Sequence, residues 1–134
     1  MGSGNTYSIS DLAKEFDITT RTIRFYEDKG LITPARQGQT RIYSAADRTK
    51  LKLILRGKRL GFSLEESRDI VAMYDPGSNN TDQLVTLING IRKNRAQLEQ
   101  QLHDLELMMV DLNESEQRCI DTLQASGVNP DDVL

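Results

Sequence analysis

The sequence predicts a mainly α fold, in which a winged helix-turn-helix with a small β-hairpin wing precedes a long coiled-coil helix. Three observations support this prediction. Helix-capping patterns recur through the first half of the chain, a glycine-centred segment of β-prone residues lies between them, and apolar residues alternate at spacings of four and three through the second half.

Two short helices joined by a tight turn are predicted near the start of the chain. Ser8 and Asp11 place a hydroxyl three residues before a carboxylate, which is a helix-start pattern. The second helix is capped by Thr19 or Thr20 and closed by Gly30. These are the proportions of a helix-turn-helix.

A hairpin and two further helices are predicted next. Residues 36–43 contain a central glycine and a β-prone end, and a hairpin that follows a helix-turn-helix is a wing. Ser44 with Asp47 opens a third helix, which ends at Gly61. Ser63 with Glu66 opens a fourth.

The second half of the chain predicts a long helix that pairs with a second copy. About four heptads can be traced, and a stripe of this length needs a partner, most simply in a two-fold dimer. Arg95 interrupts the stripe, so it either fixes the register or opens the seam locally. The predicted dimerisation residues are Leu84, Ile88, Ile91, Leu98, Leu102, Leu105, Met109 and Leu112.

These elements define the predicted domain organisation. We expect a disordered N-terminus over 1–6, a winged helix-turn-helix over 7–75 and a linker over 76–81. A coiled-coil dimerisation helix over 82–118 follows, and 119–134 form its end and a loosely ordered tail.

The net charge of −3 conceals an uneven distribution. Residues 1–74 contain 13 Lys and Arg against 9 Asp and Glu, whereas residues 75–134 contain 4 against 11. The segment from 36 to 59 holds eight basic residues and one acid. Such a cluster suits a polyanion, because each cation placed on a phosphate releases counterions, although a solvated helix face remains an alternative.

The sequence offers no chemistry for an enzyme. His103, the only histidine, lies on the predicted solvent side of the heptads, and Cys119, the only cysteine, lies in the seam. We therefore expect no catalytic residues, no metal site and no cofactor. No apolar run approaches the roughly 20 residues that span a bilayer. With a single cysteine, a reducing cytoplasm is the expected location.

Nucleic-acid binding fits the residues better. The N-terminal, outward residues of a recognition helix face the major groove, and Thr20, Arg21 and Arg24 hold those positions. Tyr26 is either a phosphate contact or a core residue. The predicted contacts to the flanking DNA backbone are Arg41 in the wing and Lys58 and Arg59 before Gly61.

Four ordered motifs resemble the successive signatures of the MerR family of transcription regulators. They are 8–13 (SISDLA), 22–27 with 30–32 (TIRFYE and GLI), 41–44 (RIYS) and 59–64 (RLGFSL), and the match runs unbroken from residue 7 to about 74. The resemblance implies DNA contacts from Thr20, Arg21, Arg24 and Tyr26, and it places Arg41 in the first wing and Lys58 at the step into a second. Tyr43, in the same wing motif as Arg41, completes the predicted DNA-contacting set.

The resemblance also implies partners and a mechanism. Members of the family pair through an antiparallel coiled coil and bind double-stranded promoter DNA. Most members activate transcription by distorting a promoter whose spacer is too long. The distortion lets RNA polymerase contact the two promoter elements that flank the spacer. The cysteines of the metal-sensing and redox branches are absent here. Residues 53–63 and 74–76 resemble the branch that regulates leucine and isovalerate catabolism, which implies an acyl-CoA effector, a branched-chain intermediate as effector, or no effector.

Two other interpretations remain open from the sequence. An architectural DNA-binding protein without an effector would share the head, although many such proteins lack a long pairing helix. A coiled-coil interaction module would use the winged helix to contact protein, and its function would survive loss of Arg21 and Arg24.

Overall fold

The computed structural model describes residues 5–134 and confirms the mainly helical fold. The elements in chain order are β1 (Thr6–Tyr7), α1 (Ile9–Phe16), α2 (Thr20–Asp28), β2 (Ala35–Gln37), β3 (Thr40–Ser44), α3 (Ala45–Arg59), α4 (Leu64–Ala72), α5 (Thr81–Ala125) and α6 (Pro130–Val133). None of the helices within residues 5–134 is long and apolar enough to cross a bilayer.

Reciprocal hydrogen bonds fix the start of three helices. Ser8 accepts from the backbone N–H of Asp11, whose carboxylate accepts in return from the N–H of Ser8. The same exchange joins Ser44 to Asp47 and Ser63 to Glu66. These boxes satisfy N–H groups that a helix leaves unpaired in its first turn, so the predicted helix starts are confirmed.

Backbone conformations with positive φ end the helices where the sequence predicted. Gly30 follows α2 with φ +79° and Gly61 follows α3 with φ +84°, a conformation that only glycine adopts without a Cβ penalty. Thr19, one of the two predicted caps, caps α2 by accepting from the N–H of Thr22 at 3.1 Å.

The predicted hairpin is present, and a third strand joins it. β2 pairs antiparallel with β3 around the turn at Gly38, with Arg36 opposite Arg41. β1 pairs with the other edge of β3, so that the strand order is β1-β3-β2. Two residues at the very start of the described chain form this strand, and no sequence pattern indicated it.

The described chain divides into two compact units, one ending at Asn94 and one running from Arg95 to Leu134. In the first unit, apolar residues from α1, α2, the segment that follows α2, the wing, α3 and α4 form the core. Its buried members are Leu12, Ile23, Tyr26, Leu31, Ile32, Tyr43, Leu51, Ile54 and Val71.

Polar side chains attach the beginning of α5 to this first unit. The buried Gln83 donates through Nε2 to the carbonyl of Ile70 at 2.8 Å, and Asn94 donates through Nδ2 to the carbonyl of Leu60 at 3.0 Å. Both donors pair with backbone carbonyls at or near the C-terminal ends of α3 and α4. The start of α5 is therefore structurally part of the head.

The two ends of the chain differ in detail from the sequence expectations. The predicted disordered terminus falls mainly on residues 1–4, which lie outside the described residues, and Thr6 already belongs to β1. α5 continues beyond 118 to Ala125, and the expected loose tail contains α6, whose cap Asn129 accepts from the N–H of Asp131 at 3.1 Å.

Candidate nucleic-acid interface

Helix α2 has one face in the core and one in solvent. Ile23 and Tyr26 are buried, Thr20 is half-buried, and Arg21 and Arg24 are exposed. The spacing of three between the two arginines places them on neighbouring turns of one face. The second helix of the helix-turn-helix thus presents two cations near its N-terminus, where a recognition helix contacts base edges.

The structure decides between the two interpretations of Tyr26 that the sequence left open. Tyr26 is 4% exposed and packs in the core, where burial raises the pKa of its hydroxyl. Phe25 is the exposed member, and the Lys29 ammonium lies 5.7 Å from its ring centroid. This burial favours the core interpretation of Tyr26 over a phosphate contact. The exposed Phe25 was not among the predicted contacts.

Tyr43 must be removed from the DNA-contacting set. Its side chain is 0% exposed, and its hydroxyl is fully enclosed without a hydrogen-bond partner among residues 5–134. Burial raises the pKa of this hydroxyl, and the nearby negative charge of Glu27 raises it further. Side chains alternate between the two faces of a strand, and Tyr43 points inward while its neighbour Ser44 is exposed.

The wing residue Arg41 is engaged within the protein. Its Nε donates to Glu27 Oε2 at 2.7 Å, and this bond raises the pKa of the guanidinium. Arg36 on the facing strand donates through Nη2 to Glu27 Oε1 at 2.6 Å. Glu27, in the last turn of α2, and Arg36 were not among the predicted site residues. The sequence could not have shown that one carboxylate serves both strands of the wing.

The predicted residues at the end of α3 remain at the surface. Lys58 and Arg59 are exposed in its last turn. Lys58 also lines a cavity of about 240 Å³ together with Phe25 of α2 and Phe62. The structure therefore brings Lys58 next to the exposed side of the recognition helix. Arg48, in the same basic cluster, instead pairs with Glu15 of α1.

The apolar stripe of α5 lies at the surface of the single chain. Seven of the eight predicted dimerisation residues are exposed, by 47 to 62%, and Ile91 is half-buried. Cys119 is a free, exposed thiol in the single chain. Within residues 5–134, no group of three or more His, Cys, Asp or Glu side chains is placed to hold a metal ion.

The helix-turn-helix, the wing and the exposed cations beside them define the protein as a DNA-binding transcription regulator of the winged-helix class. The chain belongs to the MerR family. Residues 7–74 match the family described as MerR HTH family regulatory protein, and residues 48–114 match the family described as MerR, DNA binding. The family predicted from the four motifs is confirmed.

Individual relatives agree with this assignment. The HTH-type transcriptional regulator CueR of Escherichia coli O6:H1 is 34% identical over 104 residues, which cover 75% of this chain and 74% of CueR. The structure of PbrR691 from Ralstonia metallidurans CH34 in complex with lead(II) is 30% identical, with a TM-score of 0.60 over 80% of this chain and 84% of PbrR691. HiNmlR, a MerR family regulator bound to promoter DNA, shares the fold at 23% identity and a TM-score of 0.55, with 97% of each chain covered.

These relatives are regulators, so the prediction that the chain is not an enzyme is confirmed. They give no support to the leucine and acyl-CoA branch that residues 53–63 and 74–76 suggested.

Proposed function

We propose that the protein acts as a homodimer on double-stranded promoter DNA, with α2 of each protomer in the major groove of one half of a pseudo-palindromic site. The observation that carries this proposal is the exposure of Arg21 and Arg24 on a helix whose opposite face is held in the core. Arginine at such a position can pair bidentately with guanine. A two-fold dimer reads half-sites about 34 Å apart, or a multiple of that distance.

The dimer forms along α5 in this proposal. An exposed apolar stripe spanning residues 84–112 is unfavourable in water, and a second copy of the same helix covers it in a coiled coil. The family resemblance implies antiparallel pairing. The acidic balance of residues 75–134 keeps this part of the chain away from DNA and leaves phosphate contacts to the basic head.

We further propose that the bound dimer bends or untwists the promoter, so that RNA polymerase contacts both of its boxes on the same DNA. Deforming a site of 20–30 base pairs costs about 1–6 kcal/mol, which contacts from two heads and their wings can offset. The protein would work in the cytoplasm, where promoter and polymerase are found.

The resemblance of residues 53–63 and 74–76 supports an acyl-CoA as the effector, and the test includes this compound. We do not propose lead(II), which the PbrR691 structure contains, as an effector of this protein. Within residues 5–134 of one protomer, no group of three or more His, Cys, Asp or Glu side chains is placed to hold a metal ion.

Fluorescence anisotropy tests the proposal, with the purified protein on its own upstream promoter DNA and on a shuffled duplex of equal composition. We expect tight binding to the promoter alone at two protomers per site, weakened steeply by salt. An acyl-CoA titration of the complex follows.

Equal, salt-sensitive binding to both duplexes would instead favour an architectural DNA-binding protein. Absence of binding to either duplex would favour a protein-interaction module and would contradict the proposal.

A further inference from the structure

Glu27 joins the recognition helix to both strands of the wing. Its two carboxylate oxygens accept separately, Oε1 from Arg36 Nη2 at 2.6 Å and Oε2 from Arg41 Nε at 2.7 Å. Arg36 and Arg41 face each other across the β2–β3 pair. One side chain of α2 is thus bound to the two guanidinium groups of the hairpin.

Partial burial makes this contact stronger than an ordinary surface ion pair. The side chain of Glu27 is 15% exposed and that of Arg41 is 24% exposed. Charge-assisted hydrogen bonds that are shielded from water resist screening by salt, and the two bonds restrict the carboxylate in direction as well as in distance. Two directional hydrogen bonds therefore join the wing to α2, the one to Arg41 being the more shielded of the two.

The two guanidinium groups retain N–H donors that could bind a phosphate. Each guanidinium carries five N–H donors and uses one nitrogen for Glu27, and its other nitrogens have no hydrogen-bond partner among the described residues. The three charges sum to +1. Arg36 is the more accessible of the two arginines, with 45% of its side chain exposed.

We propose that Glu27 is a positioning residue for DNA binding, which fixes the wing against α2 and aims the remaining N–H groups of Arg36 and Arg41 at the DNA backbone beside the base-reading helix. The inference rests on the DNA-binding function proposed above. The contact of Glu27 with the wing would couple base recognition by Arg21 and Arg24 to a contact with the DNA backbone. The wing would then reach a phosphate only when α2 lies correctly in the major groove.

A positioning role and a purely long-range electrostatic role for Glu27 predict opposite changes in DNA affinity when its charge is removed. Glu27 is a negative charge beside a surface that binds a polyanion, so removing that charge should strengthen binding if the charge acts only at long range. If Glu27 positions the two arginines, its removal weakens specific binding although the protein becomes more positive.

The test compares Glu27→Gln with Asp28→Asn as the matched control. Asp28 is the next residue of α2 and is exposed. Its negative charge acts on Arg41 only through space, and none of the side-chain hydrogen bonds or ion pairs within residues 5–134 involves it. Anisotropy is measured on a duplex that the wild-type protein selects from a random library and on a mixed-sequence duplex. We expect Glu27→Gln to weaken binding to the selected duplex about tenfold, and Asp28→Asn to leave it unchanged or tighter.

Hydroxyl-radical footprinting separates positioning from a general loss of stability. For Glu27→Gln we expect loss of protection on the flanking backbone, with protection over the half-sites retained at saturating protein. Arg36→Gln provides a second variant whose folding is less at risk, because that side chain is half-exposed. It should lose the same flanking protection and reduce the salt slope by about one.

The inference would be overturned if the Glu27→Gln protein bound the selected duplex as tightly as the Asp28→Asn protein and kept the flanking protection. The proposed DNA-binding function would not be affected by that result. A wild-type protein that selects no sequence would overturn both.

Discussion

Gly90 of α5 lies directly against the ring of Phe62, in the segment between α3 and α4. A Cβ at Gly90 would stand 3.0 Å from Cζ and 3.1 Å from Cε1 of that ring, closer than such atoms normally approach. Phe62 is itself buried. The absence of a side chain at residue 90 is what allows the beginning of α5 to pack on the head.

Gly90→Ala should therefore destabilise the protein. Alanine favours a helix over glycine by about 1 kcal/mol, but overpacking a buried contact costs about 1–3 kcal/mol, so we expect a small net loss in the free energy of unfolding. Urea denaturation measures it. In a Phe62→Leu background the clash is relieved, and Gly90→Ala should then stabilise; destabilisation of equal size in both backgrounds would contradict the packing argument.

Tyr43→Phe should stabilise the protein by about 1 kcal/mol, because it removes an enclosed hydroxyl that has no partner and leaves the ring in place. Thermal and urea unfolding measure the change, and Tyr74→Phe, at a half-buried position, is the control. We expect DNA affinity to be unchanged. A loss of DNA affinity at unaltered stability would restore Tyr43 to the DNA-contacting set.

Arg24→Ala should weaken binding to the specific duplex by about 1–3 kcal/mol and relax sequence preference at one base pair of each half-site. The reason is that Arg24 is exposed on the recognition helix, where a guanidinium can pair with a base edge. Arg118→Ala removes the same charge from the C-terminal part of α5 and should leave affinity unchanged. Equal effects of the two substitutions would mean that only net charge matters.

Leu98→Asp should convert the dimer to a monomer, because it places a charge in the middle of the apolar stripe. Light scattering coupled to gel filtration should then report a mass near the 15.1 kDa of one chain. Gln97→Asp introduces the same group one residue earlier, on the solvent side of the heptads, and should remain dimeric. A dimeric Leu98→Asp protein would place the interface elsewhere.

Acid should weaken the start of α4. Hydrogen bonds from the Ser63 backbone and hydroxyl lower the pKa of the Glu66 carboxyl below its ordinary value of 4.5. The folded pKa is thus below the unfolded one, so this contribution to stability is complete above about pH 5 and is lost as the pH falls through the folded value.

Glu66→Gln keeps an oxygen that can accept from Ser63 N–H but removes the titrating group. We expect its melting temperature to fall less between pH 5 and pH 3 than that of the wild-type protein. Glu65→Gln, which changes a neighbouring carboxylate outside the capping box, is the control and should follow the wild type. Identical acid dependence of all three proteins would show that this cap does not contribute.

Local chemistry explains why so much of the head could be predicted from the sequence. A serine accepts from the N–H three residues on, and a glycine adopts positive φ, with little influence from distant residues. The starts at Ser8, Ser44 and Ser63 and the ends at Gly30 and Gly61 followed from such rules. The exposed Arg21 and Arg24 followed from helical periodicity on the same basis.

The tertiary structure alone decided which side chains of the interface are available. The sequence left Tyr26 open between a phosphate contact and a core residue, and the structure places it in the core with Phe25 at the surface. The burial of Tyr43 depends on which face of β3 meets the core. The bonds of Glu27 to Arg36 and Arg41 join residues 9 and 14 positions apart, through a contact that exists only after the wing has folded against α2.

The sequence by itself therefore determined three helix starts in the head, the glycines that follow two of its helices and the apolar stripe of α5, because capping, turns and periodicity act over a few residues. The resemblance of the four motifs added the family. Only the tertiary structure decided that Tyr43 is enclosed, that Gly90 admits the ring of Phe62, and that Glu27 binds both strands of the wing. Each of these depends on the close packing of elements distant in sequence, where a difference of one side chain decides which atoms meet.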